Sequence, residues 1–450
     1  MLHKNEIYEG LVSGLGSNGE GIVKIEGATV FVPFCLIGER VRFAVLKCSG
    51  NIAYGKLVCV LQPSADRAAP RCPVFGKCGG CDLQHVKYPA QLEFKRGAVA
   101  NALAKIGGIT FPVGAAVPCE REYGYRNKLA LPVEARGGET VAGFYAPRSH
   151  RIVPTDDCYI QSDWAAEVIA AVKAFGSAAL RHIVVREIKG AFIFALVCRK
   201  IIDASPLIER LKEKFAKFTL LINVNSSEGN AIFGDEWHTV YGDGFFGAEE
   251  FGIKYRAGAN TFLQVNDGMR AKLYSAVLDE ADAGVTAIDL YSGGGLLTAM
   301  LAKKCGCAYG IEVVREASLC ADELKNSNGL SGKMFNVCGK VEEEIDKVFA
   351  RTDGRRIIVC DPPRKGMERS AVKAISRSGA DKIILVSCNP ATLARDLGLL
   401  VGTLQECDGQ LVKCAAPQSE YEIASITPFD MFPQTRHIET LICLKRKQPK

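Results

Sequence analysis

The 450-residue chain contains no run of about 18 consecutive apolar residues, the length a helix needs to cross a bilayer. Its first residues, "MLHKNEIYEG", lack a charged stretch followed by an apolar one, so no secretory signal is read there. These two absences set membrane partners aside and lead to the expectation of a cytoplasmic protein. Internal repeats and low-complexity tracts are missing as well. Strong charge of one sign is also missing: the net charge is only +6. That value permits RNA as a partner without requiring it, because a basic face can be balanced by acids elsewhere.

Cysteine, by contrast, is plentiful. Eighteen of them are many for a reducing compartment, so a metal cluster, a catalytic thiol or buried thiols must account for them. Cys35, Cys48, Cys59, Cys198, Cys305, Cys307, Cys320 and Cys443 stand in apolar or mixed segments and are expected only to pack. A hydrophobic fraction of 48% with 24% charged residues is that of a chain able to bury real cores, and the length implies two or three domains.

Residues 5–61 alternate short β-type runs with Gly14, Gly16, Gly19, Gly21, Gly27 and Gly38, the rhythm of a small barrel. This stretch resembles the TRAM domain, an OB-like barrel that presents a basic face to RNA; an ordinary packing barrel is the bland alternative. A loop and a helix-like stretch from about Tyr88 to Ile106 follow, then a middle region mixing strands and helices to about residue 259. From about 260 strands and helices alternate, which predicts a doubly wound α/β sheet. The expected domains are 1–61, 62–259 and 260–450, with the 88–106 helix packing on the last. The fold class is multidomain: OB-like barrel, mixed α+β middle domain, Rossmann-like α/β domain.

In "RCPVFGKCGGCDL" the cysteines Cys72, Cys78 and Cys81 are spaced C-x5-C-x2-C in a loop that Gly76, Gly79 and Gly80 allow to turn tightly. Thiolates so placed suit an iron–sulfur cluster. Cys158 of "VPTDDCYI" is the best fourth ligand. Zinc could use the same quartet, and spacing leaves both metals open. The C-x3-C-x2-C pattern of radical enzymes that cleave S-adenosylmethionine is absent.

"AIDLYSGGGLLTAMLAKKCG" predicts a strand over Thr286–Leu290, a glycine turn and a helix. "YGIEVV" is a second strand ending in Glu312, an acid placed to accept ribose hydroxyls. The loop lacks the G-x-G-x-x-G spacing of dinucleotide enzymes, which favours a methyltransferase. Two further strands end in "IIVCDPPRKG" and "IILVSCNPAT", delivering Asp361 and Cys388 to the same sheet edge. A thiolate adding to uracil C6 makes C5 nucleophilic, and a carboxylate can later remove the C5 proton. Cys388 and Glu439 of "QTRHIETL" are the candidates; a buried strand-end thiol is the bland reading of Cys388 alone.

"FLQVN", "DLYSGGG", "DPPRKG", "SCNPATLARDL" and "FPQTRHIETL", taken in this order, resemble the uracil-C5 RNA methyltransferase family, and with the cysteine quartet they cover nearly the whole chain. The resemblance implies Cys388 as nucleophile and Glu439 as base. It implies that Gln264, Tyr291, Gly293 and Glu312 bind S-adenosylmethionine and that Asp361 lies beside both cofactor and uracil. It implies a [4Fe–4S] cluster on Cys72, Cys78, Cys81 and Cys158, as in the family's ribosomal branch, and hence large-subunit ribosomal RNA as partner of a monomer. Transfer RNA is the alternative substrate, and a cluster-bearing RNA-binding protein without activity is the alternative class. The Pro-Cys motif of cytosine-C5 enzymes is absent. Leu296 and Leu297 stand where relatives often carry Asn, and Gly339 and Lys340 where several place an adenine ligand, so no adenine contact is assigned.

Overall fold

The computed structural model describes residues 2–16 and 18–448. Five strands, Ile7–Leu15, Gly21–Ile25, Ala28–Val32, Arg40–Ser49 and Ile52–Gln62, close into a barrel. Alternate residues point inward, and Val12, Val23, Val30, Val32, Val41, Phe43 and Val45 fill the interior. Gly10 has no room for a side chain, since a Cβ there would stand 2.3 Å from Val23 Cγ1. The barrel is fastened to the following loop by Arg67, whose Nε lies 2.5 Å from Oε1 of the fully buried Glu39.

The middle region is a seven-stranded sheet in the order Glu236–Tyr241, Phe218–Val224, Ala191–Cys198, Leu180–Ile188, Lys128–Arg136, Glu139–Tyr145, Ile152–Pro154. Helices Trp164–Phe175 and Ser205–Lys212 bury Val168, Ile169, Val172, Leu207 and Leu211 against one face. The other face sends Val184, Ile193, Ala195 and Val197 into an apolar cluster shared with Leu273, Val277 and Met300 of the following region. Each such side chain contributes about 1.5–3 kcal/mol on burial, so the two regions are joined by a continuous core.

The C-terminal sheet has the order Met334–Cys338, Cys307–Glu312, Thr286–Leu290, Arg356–Cys360, Lys382–Ser387, Glu439–Arg446, Tyr421–Phe429. The first five strands are mutually parallel, and Glu439–Arg446 runs antiparallel to its two neighbours. Parallel strands covered on both faces read as continuous apolar runs, which is why "IIVC" and "IILVS" are buried throughout.

The helix expected near residues 88–106 spans Tyr88–Ala102 and continues as a wider turn over Leu103–Gly107. It lies on the C-terminal sheet: Val99 and Leu103 share a core with Ile383, Leu393, Leu397 and Ile426. Among the described residues no helix is long and apolar enough to cross a membrane. Two thiols depart from the packing role expected of them. Cys48 and Cys320 are exposed, the first near the end of the long Arg40–Ser49 strand, the second on the outer side of helix Arg315–Ser327.

Candidate active site

At the end of Thr286–Leu290 the chain leaves the sheet through Tyr291, which takes a φ of +64°, rare for a side chain of its size. Gly293 and Gly295 also have positive φ, and a Cβ on Gly295 would stand 2.7 Å from Ala321 Cβ. The absence of a side chain at Gly295 thus lets the loop close against helix Arg315–Ser327. Glu312, at the end of the neighbouring strand, accepts from Gly293 N at 2.9 Å through Oε2 and from Val314 N at 2.7 Å through Oε1. Its carboxylate is fixed while each oxygen keeps a free lone pair for a ligand hydroxyl.

Gln264 is buried in the loop ahead of helix Asp267–Glu280, where its carbonyl accepts from Arg270 Nη1 at 3.0 Å. Asn266 caps that helix by accepting from Met269 N at 3.2 Å. Leu296 and Leu297 are buried at the start of helix Leu296–Cys305 and offer no polar group.

Strand register brings Cys388 and Glu439 together. Ser387 pairs with Thr440 across antiparallel strands; Cys388 and Glu439 are the residues immediately beyond that last pair at the sheet edge, and Glu439 pairs with Phe429 on its other side. Asn389 turns the chain there: its side chain accepts from Ala391 N at 3.0 Å, capping helix Pro390–Leu400, and Pro390 fits the first turn. Asp361 follows the strand Arg356–Cys360, whose last residue pairs with Leu385 on one side and Leu290 on the other. Tyr291, Glu312, Asp361, Cys388 and Glu439 therefore line one edge of the sheet, where open α/β folds bind ligands.

The electrostatics of this edge are those of acids crowded together with little water. Burial pushes Asp361 up to about 7. Burial, with a contribution from Asp361, pushes Asp289 to about 7 even though it accepts from Thr298 Oγ1 at 2.6 Å. Glu439 is pushed well above the ordinary carboxylate range by burial and then by Asp361, and its Oε2 has no hydrogen-bond partner among the described residues. Burial and then Glu439 raise the Cys388 thiol to about 11. Burial gives the Glu439 carboxylate a high proton affinity, so that in its ionised form it is suited to receive a proton.

Sequence reasoning missed the counter-charge. Arg364, exposed in "DPPR", opposes the upward shifts of both Cys388 and Glu439, and its carbonyl accepts from Asn389 Nδ2 at 3.2 Å. An arginine three residues after a strand-end acid is the available signal. Phe262, two residues before Gln264, is a second omission: its ring is 76% exposed.

Cys72, Cys78, Cys81 and Cys158 are half-buried free thiols. They lie within electrostatic reach of one another: after burial itself, Cys158, Cys78 and Cys72 all help to raise Cys81, which stands at about 12. Gly80 N donates to Cys78 Sγ at 3.3 Å. The closed four-thiolate ligand set expected for these residues is not found, because among the described residues no three His, Cys, Asp or Glu side chains are gathered closely enough to hold a metal ion.

A doubly wound sheet with one antiparallel strand, a glycine loop facing a strand-end acid, and a thiol and carboxylate at one sheet edge define a methyltransferase of the Rossmann-like class. Comparison with known proteins narrows this. Residues 352–447 match the tRNA (Uracil-5-)-methyltransferase family and residues 3–58 the TRAM domain. An RNA methyltransferase of Clostridium acetobutylicum is 35% identical, covering 98% of both chains, and one of Halalkalibacterium halodurans is 35% identical over 99% of this chain and 98% of its own. The chain belongs to this family of RNA methyltransferases. Its fold is similar to that of Pyrococcus abyssi tRNA (uracil-54, C5)-methyltransferase in complex with S-adenosyl-L-homocysteine, with a TM-score of 0.74, 24% identity and coverage of 97% of this chain and 99% of that one.

Proposed function

We propose that the protein methylates uridine at C5 in RNA, using S-adenosylmethionine, and that large-subunit ribosomal RNA is its substrate. The observation that carries the chemistry is the closeness of Cys388 and Glu439, one residue beyond the Ser387–Thr440 pair, with Asp361 acting on both. S-adenosylmethionine, when bound, supplies an electrophilic methyl group. Gln264, Tyr291, Gly293 and Glu312 would hold it, with Asp361 facing both it and the uracil.

Cys388 gives up its proton to solvent and adds as thiolate to C6, and the resulting enolate makes C5 nucleophilic toward the methyl group; Glu439 is by then in its carboxylate form. Arg364 favours the thiolate by its charge. Glu439 then takes the C5 proton, the electrons of the C–H bond restore the C5–C6 double bond, and the C6–S bond breaks to return Cys388. The target base must leave its stack to reach this edge, and the exposed ring of Phe262 offers a surface on which bases can stack.

The cysteine quartet would hold a [4Fe–4S] cluster, supported by four half-buried free thiols and by the glycine-lined loop that carries three of them. Four thiolates leave no open iron, so its contribution is to fix the loop. The cluster motif favours ribosomal RNA; the likeness in fold to a transfer RNA enzyme makes transfer RNA the second reading. We take the protein to act as a monomer in the cytoplasm.

The test is tritium release from RNA labelled at uracil C5. Cofactor-dependent release from ribosomal RNA supports the reading, release from transfer RNA alone moves the substrate, and silence with both overturns it.

A further inference from the structure

Between the strand Tyr421–Phe429 and Glu439 the chain passes through Asp430–Ile438 without regular structure, yet Asp430, Met431, Gln434, Thr435 and Ile438 are all buried. Buried carbonyls outside helices and strands need donors from elsewhere. Four successive ones find them in four different places. Met431 O accepts from Asn266 Nδ2 at 3.1 Å, and Phe432 O accepts from Lys95 Nζ at 3.0 Å. Pro433 O accepts from the Tyr125 hydroxyl at 2.9 Å. Gln434 O accepts from Asp82 N and Leu83 N, both at 3.0 Å.

Gln91 adds a two-way contact. Its Oε1 accepts from Gln434 N at 3.0 Å, and its Nε2 donates to Gln434 Oε1 at 3.0 Å. Gln434 itself sits at a φ of +68°, a conformation that persists only where surroundings impose it. None of these donors comes from the sheet that carries Cys388.

We propose that Gln91, Lys95 and Tyr125 are positioning residues for proton removal: by holding Asp430–Gln434 from outside the sheet, they place the Glu439 carboxylate against the C5 proton. Asp82, next to Cys81, joins the cysteine loop to the same segment, so the state of that loop bears on the base and not on the nucleophile. The proposal rests on the reading of Glu439 as the base.

Tyr125→Phe removes one hydroxyl and keeps the ring; Gln91→Leu removes both contacts to Gln434. Each is compared with wild type and Glu439→Gln on whichever tritiated RNA the wild type labels, following methyl transfer in a single turnover, tritium release, and RNA–protein adduct on denaturing gels. In the variants, methyl transfer is expected near the wild-type rate. Tritium release slows on the order of 10- to 100-fold, as small misplacements of a reacting group do, and adduct accumulates.

A loss shared equally by both steps, without adduct, means a merely structural role and overturns the proposal. So does wild-type behaviour in both variants while Glu439→Gln traps adduct. If Glu439→Gln itself releases tritium at the full rate, the assignment of the base fails instead, and the two failures are told apart.

Discussion

Lys95 Nζ lies 2.5 Å from Asp430 Oδ1, and both side chains are completely buried. Breaking such a pair by removing one partner leaves an uncompensated charge in the interior. Lys95→Met is therefore expected to destabilise the protein by about 3–5 kcal/mol, and adding Asp430→Asn to recover most of that. Urea denaturation of the two variants checks it.

Burial pushes Asp361 up to about 7, and if it faces the cofactor as proposed, a sulfonium cation is attracted to its ionised form. The ionised fraction grows as pH rises through about 7, so affinity for S-adenosylmethionine should rise across that range. Bound cofactor should in turn lower the pKa of Asp361. Calorimetric titrations between pH 6 and 8 should show the rise, weaker for S-adenosylhomocysteine, which lacks the positive charge, and absent in Asp361→Asn.

The glycine loop discriminates between neighbouring positions. Gly295→Ala places a Cβ 2.7 Å from Ala321 and 2.8 Å from Met334 at a φ of +80°, so a loss of about 1–3 kcal/mol is expected. A Cβ on Gly294 meets nothing within 4 Å, and Gly294→Ala should stay within about 0.5 kcal/mol of wild type. Melting temperatures of the pair suffice.

His85 is buried between Phe34 and Phe75 with neither ring nitrogen partnered among the described residues, and burial lowers its pKa to about 4. Between about 4 and the ordinary value of 6.5 the unfolded chain binds a proton there that the folded chain does not. Stability is thus full above 6.5 and declines as pH falls toward 4. His182 and His437, also near 4, act in the same direction. His85→Phe should make thermal melting less sensitive to pH between 7 and 5.

Cys78→Ser, in protein prepared without oxygen, should lose iron and melt at lower temperature, since a ligand that binds only the folded chain stabilises it. Equal iron content and melting would remove the cluster from the reading.

The sheet strands were legible because parallel strands buried on both faces are apolar without interruption; Thr286–Leu290 lies where "TAIDL" predicts it. Cys388 was marked by a strand ending in a thiol and an Asn-Pro turn. Glu439 was not marked by its own surroundings: without the family pattern it is one acid on a C-terminal strand, and only register sets it beside Cys388. Lys95 and Gln91 were silent for a different reason. Their partners Asp430 and Gln434 lie 335 and 343 residues away, so no local spacing reports them. Cys48 and Cys320 were misread because an apolar neighbourhood in sequence does not say which face of an element a thiol occupies.

The rung that joins Ser387 to Thr440 has a bearing on how such enzymes can diversify. Because strand pairing next to the thiol and the anchored Asp430–Gln434 segment next to the carboxylate set their spacing, the earlier part of the connecting chain carries no distance information. The two-stranded excursion Leu404–Cys407 and Gln410–Lys413 lies within that connection, and among the described residues its strands pair with no other strand, its ties to the rest being side-chain contacts such as Glu406 with Arg369 and Lys373. It could be lengthened, shortened or exchanged for a foreign hairpin while the reacting pair keeps its separation, which makes it a natural site for grafting new substrate contacts.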